Sequence, residues 1–178
     1  MPVSQQVYLL DAGNTQLKLA LAQDGLIQWV KQYTLAEFPL KSLNSNIPLA
    51  YSSVVNEELT DTLVSYFTEL FEIKHNMNLP FKMAYQSPET LGRDRLCNAA
   101  ALSQKASGKP RLAIDLGTCI KFDFLNEDQE YLGGSISPGL QMRAKALAYY
   151  TAKLPELPIS PSQKLIGTNS QTSIEVGT

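Results

Sequence analysis

The sequence is poor in the residues on which most metal and nucleophile sites are built. It has one histidine, His75, and two cysteines, Cys97 and Cys119, set far apart. One imidazole leaves almost no material for a zinc site or a His-based triad, and two distant thiols make no paired-thiolate motif. Charge is sparse as well. Only 18% of residues are Asp, Glu, Lys or Arg, and 15 basic against 17 acidic side chains leave a formal net charge of −2. That balance argues against a protein that coats nucleic acid or lies on a membrane surface, since both need a basic excess. No apolar run is long enough to span a bilayer, and Met1–Gln6 lacks the basic start of a signal peptide. The expectation is a reduced, cytoplasmic, soluble protein with no nucleic-acid or membrane partner. A hydrophobic content of 44% over 178 residues argues against disorder and provides for a core without a metal or disulfide staple.

What the sequence does contain is an internal repeat. V-Y-L-L-D (Val7–Asp11) is followed by Ala12-Gly13-Asn14-Thr15 and the alternating run Leu17–Leu21. L-A-I-D (Leu112–Asp115) is followed by Leu116-Gly117-Thr118 and the run Ile120–Phe124. Each unit reads as a strand, a glycine turn and a returning strand, which predicts two similar lobes. The Ser107–Pro110 turn cluster is the expected boundary, giving lobes 1–109 and 110–178. Apolar spacing predicts an amphipathic helix over 56–70, and further helices run through Arg95–Leu102 and Leu140–Tyr150. Pro155, Pro158 and Pro161 predict a loop, and Asn169–Thr178 opens another element.

A strand that ends in Asp before a tight glycine turn sets a carboxylate beside outward-pointing backbone N–H groups. Those groups can cradle phosphate oxygens while the carboxylate holds a hydrated Mg²⁺, and Lys18 can neutralise phosphate charge. A single copy is more readily an ordinary hairpin turn; two copies, each after an apolar strand, favour the phosphate reading. Leu91-Gly92-Arg93-Asp94-Arg95 offers a carboxylate between two guanidinium groups at a helix start. It reads either as an anion site with Asp94 as general base, or as solvated arginines with an acid at the positive end of a helix dipole. Gly133–Gly139 reads as a glycine-rich loop near a ligand or as a pair of turns. His75 and Trp29 read as structural or surface residues, and Cys119 as a small buried filler.

Taken in order, D-A-G-N-T-Q-L-K (Asp11–Lys18), Y-Q-S-P-E-T-L-G-R-D-R (Tyr85–Arg95), D-L-G-T (Asp115–Thr118) with Asp123, G-G-S-I-S-P-G (Gly133–Gly139), L-A-Y-Y-T-A-K-L-P (Leu147–Pro155) and I-G-T-N-S (Ile166–Ser170) resemble the type III pantothenate kinases. These belong to the actin-like superfamily of sugar kinases and heat-shock ATPases. The resemblance implies an α/β fold of two duplicated actin-like (ribonuclease H-like) lobes with mixed sheets, the second lobe ending before it is complete. It implies ATP-dependent phosphorylation of pantothenate, the first step of coenzyme A synthesis, in a homodimer. Asp94 would be the proton acceptor. Asp11, Ala12, Gly13, Asn14, Thr15, Gln16, Leu17, Lys18 and Thr118 would bind ATP, with Asp11 near Mg²⁺. Asp115 would ligate a monovalent cation, K⁺ or NH₄⁺. Tyr85, Gly92, Arg93, Asp94, Arg95 and Ser170 would contact pantothenate. Cys119 and Lys121 depart from the small residues and Thr that the family carries in the second phosphate turn. Two other readings share the fold: a regulatory protein such as the Bvg accessory factor, and a kinase for a different small alcohol.

Overall fold

A computed structural model of the chain describes residues 5–13, 16–53, 57–105, 108–161 and 165–178. They form two compact units. One comprises Met1–Leu79 and Ser87–Cys97, the other Pro80–Gln86 and Asn98–Thr178. The 107–110 turn cluster, expected as the lobe boundary, lies within the second unit and partly outside the described residues.

The first unit is built on a five-stranded mixed sheet. Strands β1 (Gln6–Ala12), β2 (Leu17–Gln23), β3 (Leu26–Tyr33), β4 (Leu49–Ser53) and β5 (Leu70–Glu72) stand in the order β3-β2-β1-β4-β5. β1, β2 and β3 form an antiparallel meander, while β4 lies parallel to both β1 and β5. A parallel pair needs a crossover. Helix α1 (Glu57–Tyr66) supplies the one between β4 and β5. Period-two alternation puts Tyr8, Leu10 and Ala12 of β1 on the buried face together with Leu17 and Leu19 of β2. Leu59 and Leu63, one turn apart on α1, close over them with Phe67, whose ring meets Tyr8 edge-on at 6.2 Å. The helix expected over 56–70 is therefore shorter. Asn56 lies outside the described residues, the last helical bond runs from the Phe67 N–H to the Leu63 carbonyl, and Leu70 pairs with Leu49 as strand β5.

The second unit carries a four-stranded sheet in the order β6-β9-β8-β7. Its strands are β6 (Lys82–Met83), β7 (Arg111–Leu116), β8 (Cys119–Leu125) and β9 (Glu130–Pro138). Here the antiparallel pairs β7–β8 and β8–β9 repeat the meander of the first unit, and β6 adds in parallel to β9. Gly133 and Gly134, read as part of a loop or a pair of turns, sit inside β9 instead. Gly134 lies opposite Asp123, so close to β8 that a Cβ there would fall 1.7 Å from the Phe122 carbonyl oxygen. Leu125, Asp123 and Tyr131 are fully buried on one face of this sheet. The opposite face of β7 presents Leu112, Ile114 and Leu116 to solvent. Helix α2 (Arg93–Ser103) begins in the first unit and ends in the second; α3 (Leu140–Tyr150) and α4 (Ser170–Gly177) belong to the second. Among the described residues no helix is long and apolar enough to cross a membrane.

Leu19 is wholly buried, faces Leu10 across the hairpin and has no room to relax. Leu19→Ala is expected to destabilise the chain by about 2–5 kcal/mol through lost transfer energy plus the cavity left behind. Urea unfolding followed by circular dichroism measures it.

Candidate functional site

In the first unit, Asp11 is the next-to-last residue of β1 and the chain turns back through Gly13, whose N–H donates to the Gln16 carbonyl at 3.1 Å. Asn14 and Thr15, expected to touch ATP, lie outside the described residues. Asp11 and Lys18 are register partners across β1 and β2 and are both exposed. Ala12 and Leu17 are buried in the core, so any contact they make with a phosphate comes from their backbone.

The second feature of this unit is the start of α2. A 3₁₀ turn over Pro88–Thr90 leads into it, and Pro88 suits that turn because its fixed φ needs no N–H partner. Leu91 and Leu96 are buried and pin the helix start. The Asp94 carboxylate accepts from the Arg95 N–H at 2.8 Å and lies over Gly92, where a Cβ would fall 2.6 Å from Asp94 Oδ1. Only a residue without a side chain leaves the carboxylate that position. The guanidinium of Arg95 is drawn inside, at 5% exposure.

Arg93 forms an ion pair with Glu72 at the end of β5, and Glu72 also pairs with Lys74 at 2.9 Å. Burial alone would raise the Glu72 carboxyl. The hydrogen bond from Lys74 and the charges of Arg93 and Lys74 outweigh it and hold the group below its ordinary value. Burial, and then the Glu72 charge, push the Tyr51 phenol upward, so its hydroxyl stays protonated and hydrogen-bonds Glu72. Glu72 escaped the sequence reading because an acid ending a short apolar run carries no local mark of a partner 21 residues later.

Cys97 lies one turn into α2 with part of its side chain open to solvent. Its thiol is pushed up by desolvation first and then by the carboxylates of Asp11 and Asp94.

In the second unit Asp115 and Lys121 are register partners on β7 and β8, and Lys121 Nζ stands 2.7 Å from Asp115 Oδ2. Thr118 is exposed at the turn, and its carbonyl accepts the Gly139 N–H at 3.0 Å. Cys119 is half-buried, its sulfur 4.0 Å from that of Met142. Asp123 accepts from the Tyr131 hydroxyl at 2.7 Å and from the Asn98 amide at 3.1 Å, a satisfied buried acid. Tyr85 leans on Tyr131, ring centroids 6.0 Å apart, and Ser170 is exposed as the first residue of α4. Trp29 is half-buried against Tyr8, and His75 is exposed.

Among the described residues no group of three or more His, Cys, Asp or Glu side chains is arranged to hold a metal ion. A Mg²⁺ carried on nucleotide phosphates needs only one or two carboxylates, and the exposed Asp11 carboxylate can supply one. The cation expected at Asp115 does not fit as well. The Lys121 ammonium already takes that carboxylate, and a lysine has three N–H donors and no lone pair with which to coordinate a cation.

By comparison with known proteins the chain is an enzyme of the kinase class, in which ATP and a divalent metal such as Mg²⁺ take part. The chain belongs to the type III pantothenate kinase family, whose pattern its residues 7–178 match. A type III pantothenate kinase of Christiangramia forsetii is 36% identical over 177 residues, covering 95% of this chain and 72% of that protein. One from Cytophaga hutchinsonii is 32% identical over 170 residues with the same coverage. A crystal structure described as a Baf family transcriptional activator from Campylobacter jejuni superposes with a TM-score of 0.63 at 21% identity, over 96% of this chain and 72% of that one. At that identity the likeness speaks to fold alone.

Glu72 has a depressed carboxyl, so its stabilising interactions are present above the ordinary value of 4.5 and are lost as pH falls through the lowered one. Glu72→Gln is expected to lower the urea midpoint at pH 7 and to differ little from the native chain at pH 3. An equal deficit at both pH values would show that the loss is one of shape and not of charge.

Proposed function

We propose that the chain phosphorylates pantothenate to 4′-phosphopantothenate with ATP, the first step of coenzyme A biosynthesis. The observation that carries the reading is the Asp94 carboxylate held over Gly92 at the start of α2, in the same unit as the Asp11 hairpin. Family membership supplies the substrate pair.

In this reading Asp94 accepts the proton of the pantothenate primary hydroxyl as that oxygen forms its bond to the γ-phosphorus. The bond from phosphorus to the bridging oxygen breaks and ADP leaves with the electron pair. Such a transition state asks little covalent chemistry of the protein and much positioning and charge neutralisation. The Asp11–Leu17 hairpin turn and the Lys18 ammonium bind phosphate oxygens, and Thr118 with its turn binds ATP from the second hairpin. Asp11 would hold Mg²⁺, which when bound draws charge from the transferring phosphoryl group. Arg95, enclosed by its surroundings, and Arg93, steadied by Glu72, suit the carboxylate of pantothenate, with Gly92, Tyr85 and Ser170 completing the contacts. A positive charge at Asp115 belongs to the same scheme. A homodimer is part of it too, and sedimentation velocity reads that directly.

Asp94→Asn keeps the shape and removes the base. It is expected to lower kcat for pantothenate-dependent ADP release by about 10²–10⁴-fold, with MgATP affinity nearly unchanged by calorimetry. Turnover equal to the native chain would remove Asp94 from the mechanism. ADP release that no pantothenate stimulates, with MgATP still bound, would point to another alcohol.

A further inference from the structure

We propose that the Lys121 ammonium is a built-in monovalent cation for the second phosphate turn, so that nucleotide binding by this chain needs neither K⁺ nor NH₄⁺. The inference rests on the kinase reading above and deepens it.

Its geometry is not that of a wandering surface pair. Asp115 and Lys121 are opposed by the β7–β8 register, which puts their Cβ atoms side by side on one face of the sheet. The side chains are 34% and 17% exposed, so the lysine is largely enclosed while it spans 2.7 Å to the carboxylate. Charge is conserved by the exchange. An acid with a bound K⁺ and an acid with a bound ammonium both present the nucleotide with the same net charge. Chemistry is conserved as well, because a lysine head is an ammonium ion on a tether and donates N–H groups to the same oxygens. The tether removes the entropic cost of capturing an ion from solution, and it excludes a second cation from the same carboxylate oxygen. The first hairpin shows the pattern independently. Asp11 stands opposite Lys18 in the β1–β2 register, so both strand–turn–strand units set a lysine across the ladder from their turn acid.

The test replaces KCl by choline chloride at constant ionic strength and reads MgATP affinity by calorimetry beside pantothenate-dependent ADP release. The native chain is expected to change by less than about twofold in affinity. Lys121→Thr is expected to lose about tenfold in choline, a typical coupling between two ligands, and to regain it with K⁺ or NH₄⁺. A native chain that loses about tenfold on removal of K⁺ would overturn the inference, and that comparison stands even where the variant does not fold. A folded Lys121→Thr chain indifferent to K⁺ and NH₄⁺ would overturn it too. Failure of the kinase reading looks different: MgATP then binds in no salt at all. MgATP binding that ignores K⁺ without any response to pantothenate would support the built-in cation while removing the substrate.

Discussion

Everything at the candidate site hangs on strand register. Side chains alternate across a strand, so a slip of one residue exchanges the two faces of the sheet. In the first hairpin the buried pair Leu10 and Leu19 fixes the alignment, and that forces the next pair toward the turn, Asp11 and Lys18, onto the opposite face. The second hairpin is anchored on the same principle by Leu125, Asp123 and Tyr131, all wholly buried, which sets Lys121 on the face of Asp115. The apolar residues thus determine where the charges stand. A polar residue at Leu19 would cost stability and would also loosen the one constraint that keeps an acid and a lysine opposed at a turn.

Register cannot place a side chain that comes from outside the hairpins, and α2 solves that problem differently. Its start is pinned by Leu91 and Leu96, and Arg93 is tied by Glu72 to the end of β5. The pair is partly exposed, so solvent screening keeps its net stabilisation modest. Its value lies in orientation: it stops the first turn of α2 from fraying, and Asp94 is the second residue of that turn. The three charged residues of the R-D-R run therefore have three environments. Arg93 is engaged by an acid, Asp94 is held over a glycine, and Arg95 is enclosed. The sequence alone left two readings open, an anion site and a solvated helix start. Arg95, at 5% exposure, is not the solvated arginine of the second reading.

What could be read from the sequence was what is local. A strand, a glycine turn and a returning strand form one contiguous pattern of period two, and both hairpins stood out for that reason. The helix over Leu140–Tyr150, expected just after the Pro138-Gly139 break, has those bounds. Features decided by distant partners were illegible. Leu70 continues the helical stripe of Leu59, Leu63 and Phe67, yet pairing with β4 draws it into a strand. Gly133 and Gly134 look like turn residues, yet the closeness of the Phe122 backbone is what demands the second of them. Lys121 was visible as a departure from the family pattern, but its direction was not. A lysine two residues after Cys119 can reach toward phosphate or back across the ladder, and only the β7–β8 register shows that Asp115 faces it.

Simple electrostatics then decides between an ion and the lysine at Asp115. A free cation sharing the carboxylate would meet like-charge repulsion from the ammonium, on the scale of two charges about 4 Å apart. Two unit charges at that distance repel by about 1 kcal/mol in bulk water and by about 4 kcal/mol at the effective dielectric of a protein surface. Asp115 is one-third exposed, so solvent screening draws the figure toward the lower end. Even about 1 kcal/mol lowers the affinity for a free ion about fivefold, since 1.4 kcal/mol is tenfold. The lysine suffers no such penalty and is present at every salt concentration. Free K⁺ competes for the carboxylate only if the lysine first swings away, which breaks a pair that the sheet register holds in place. The Asp115 carboxylate is already answered from across the hairpin by Lys121.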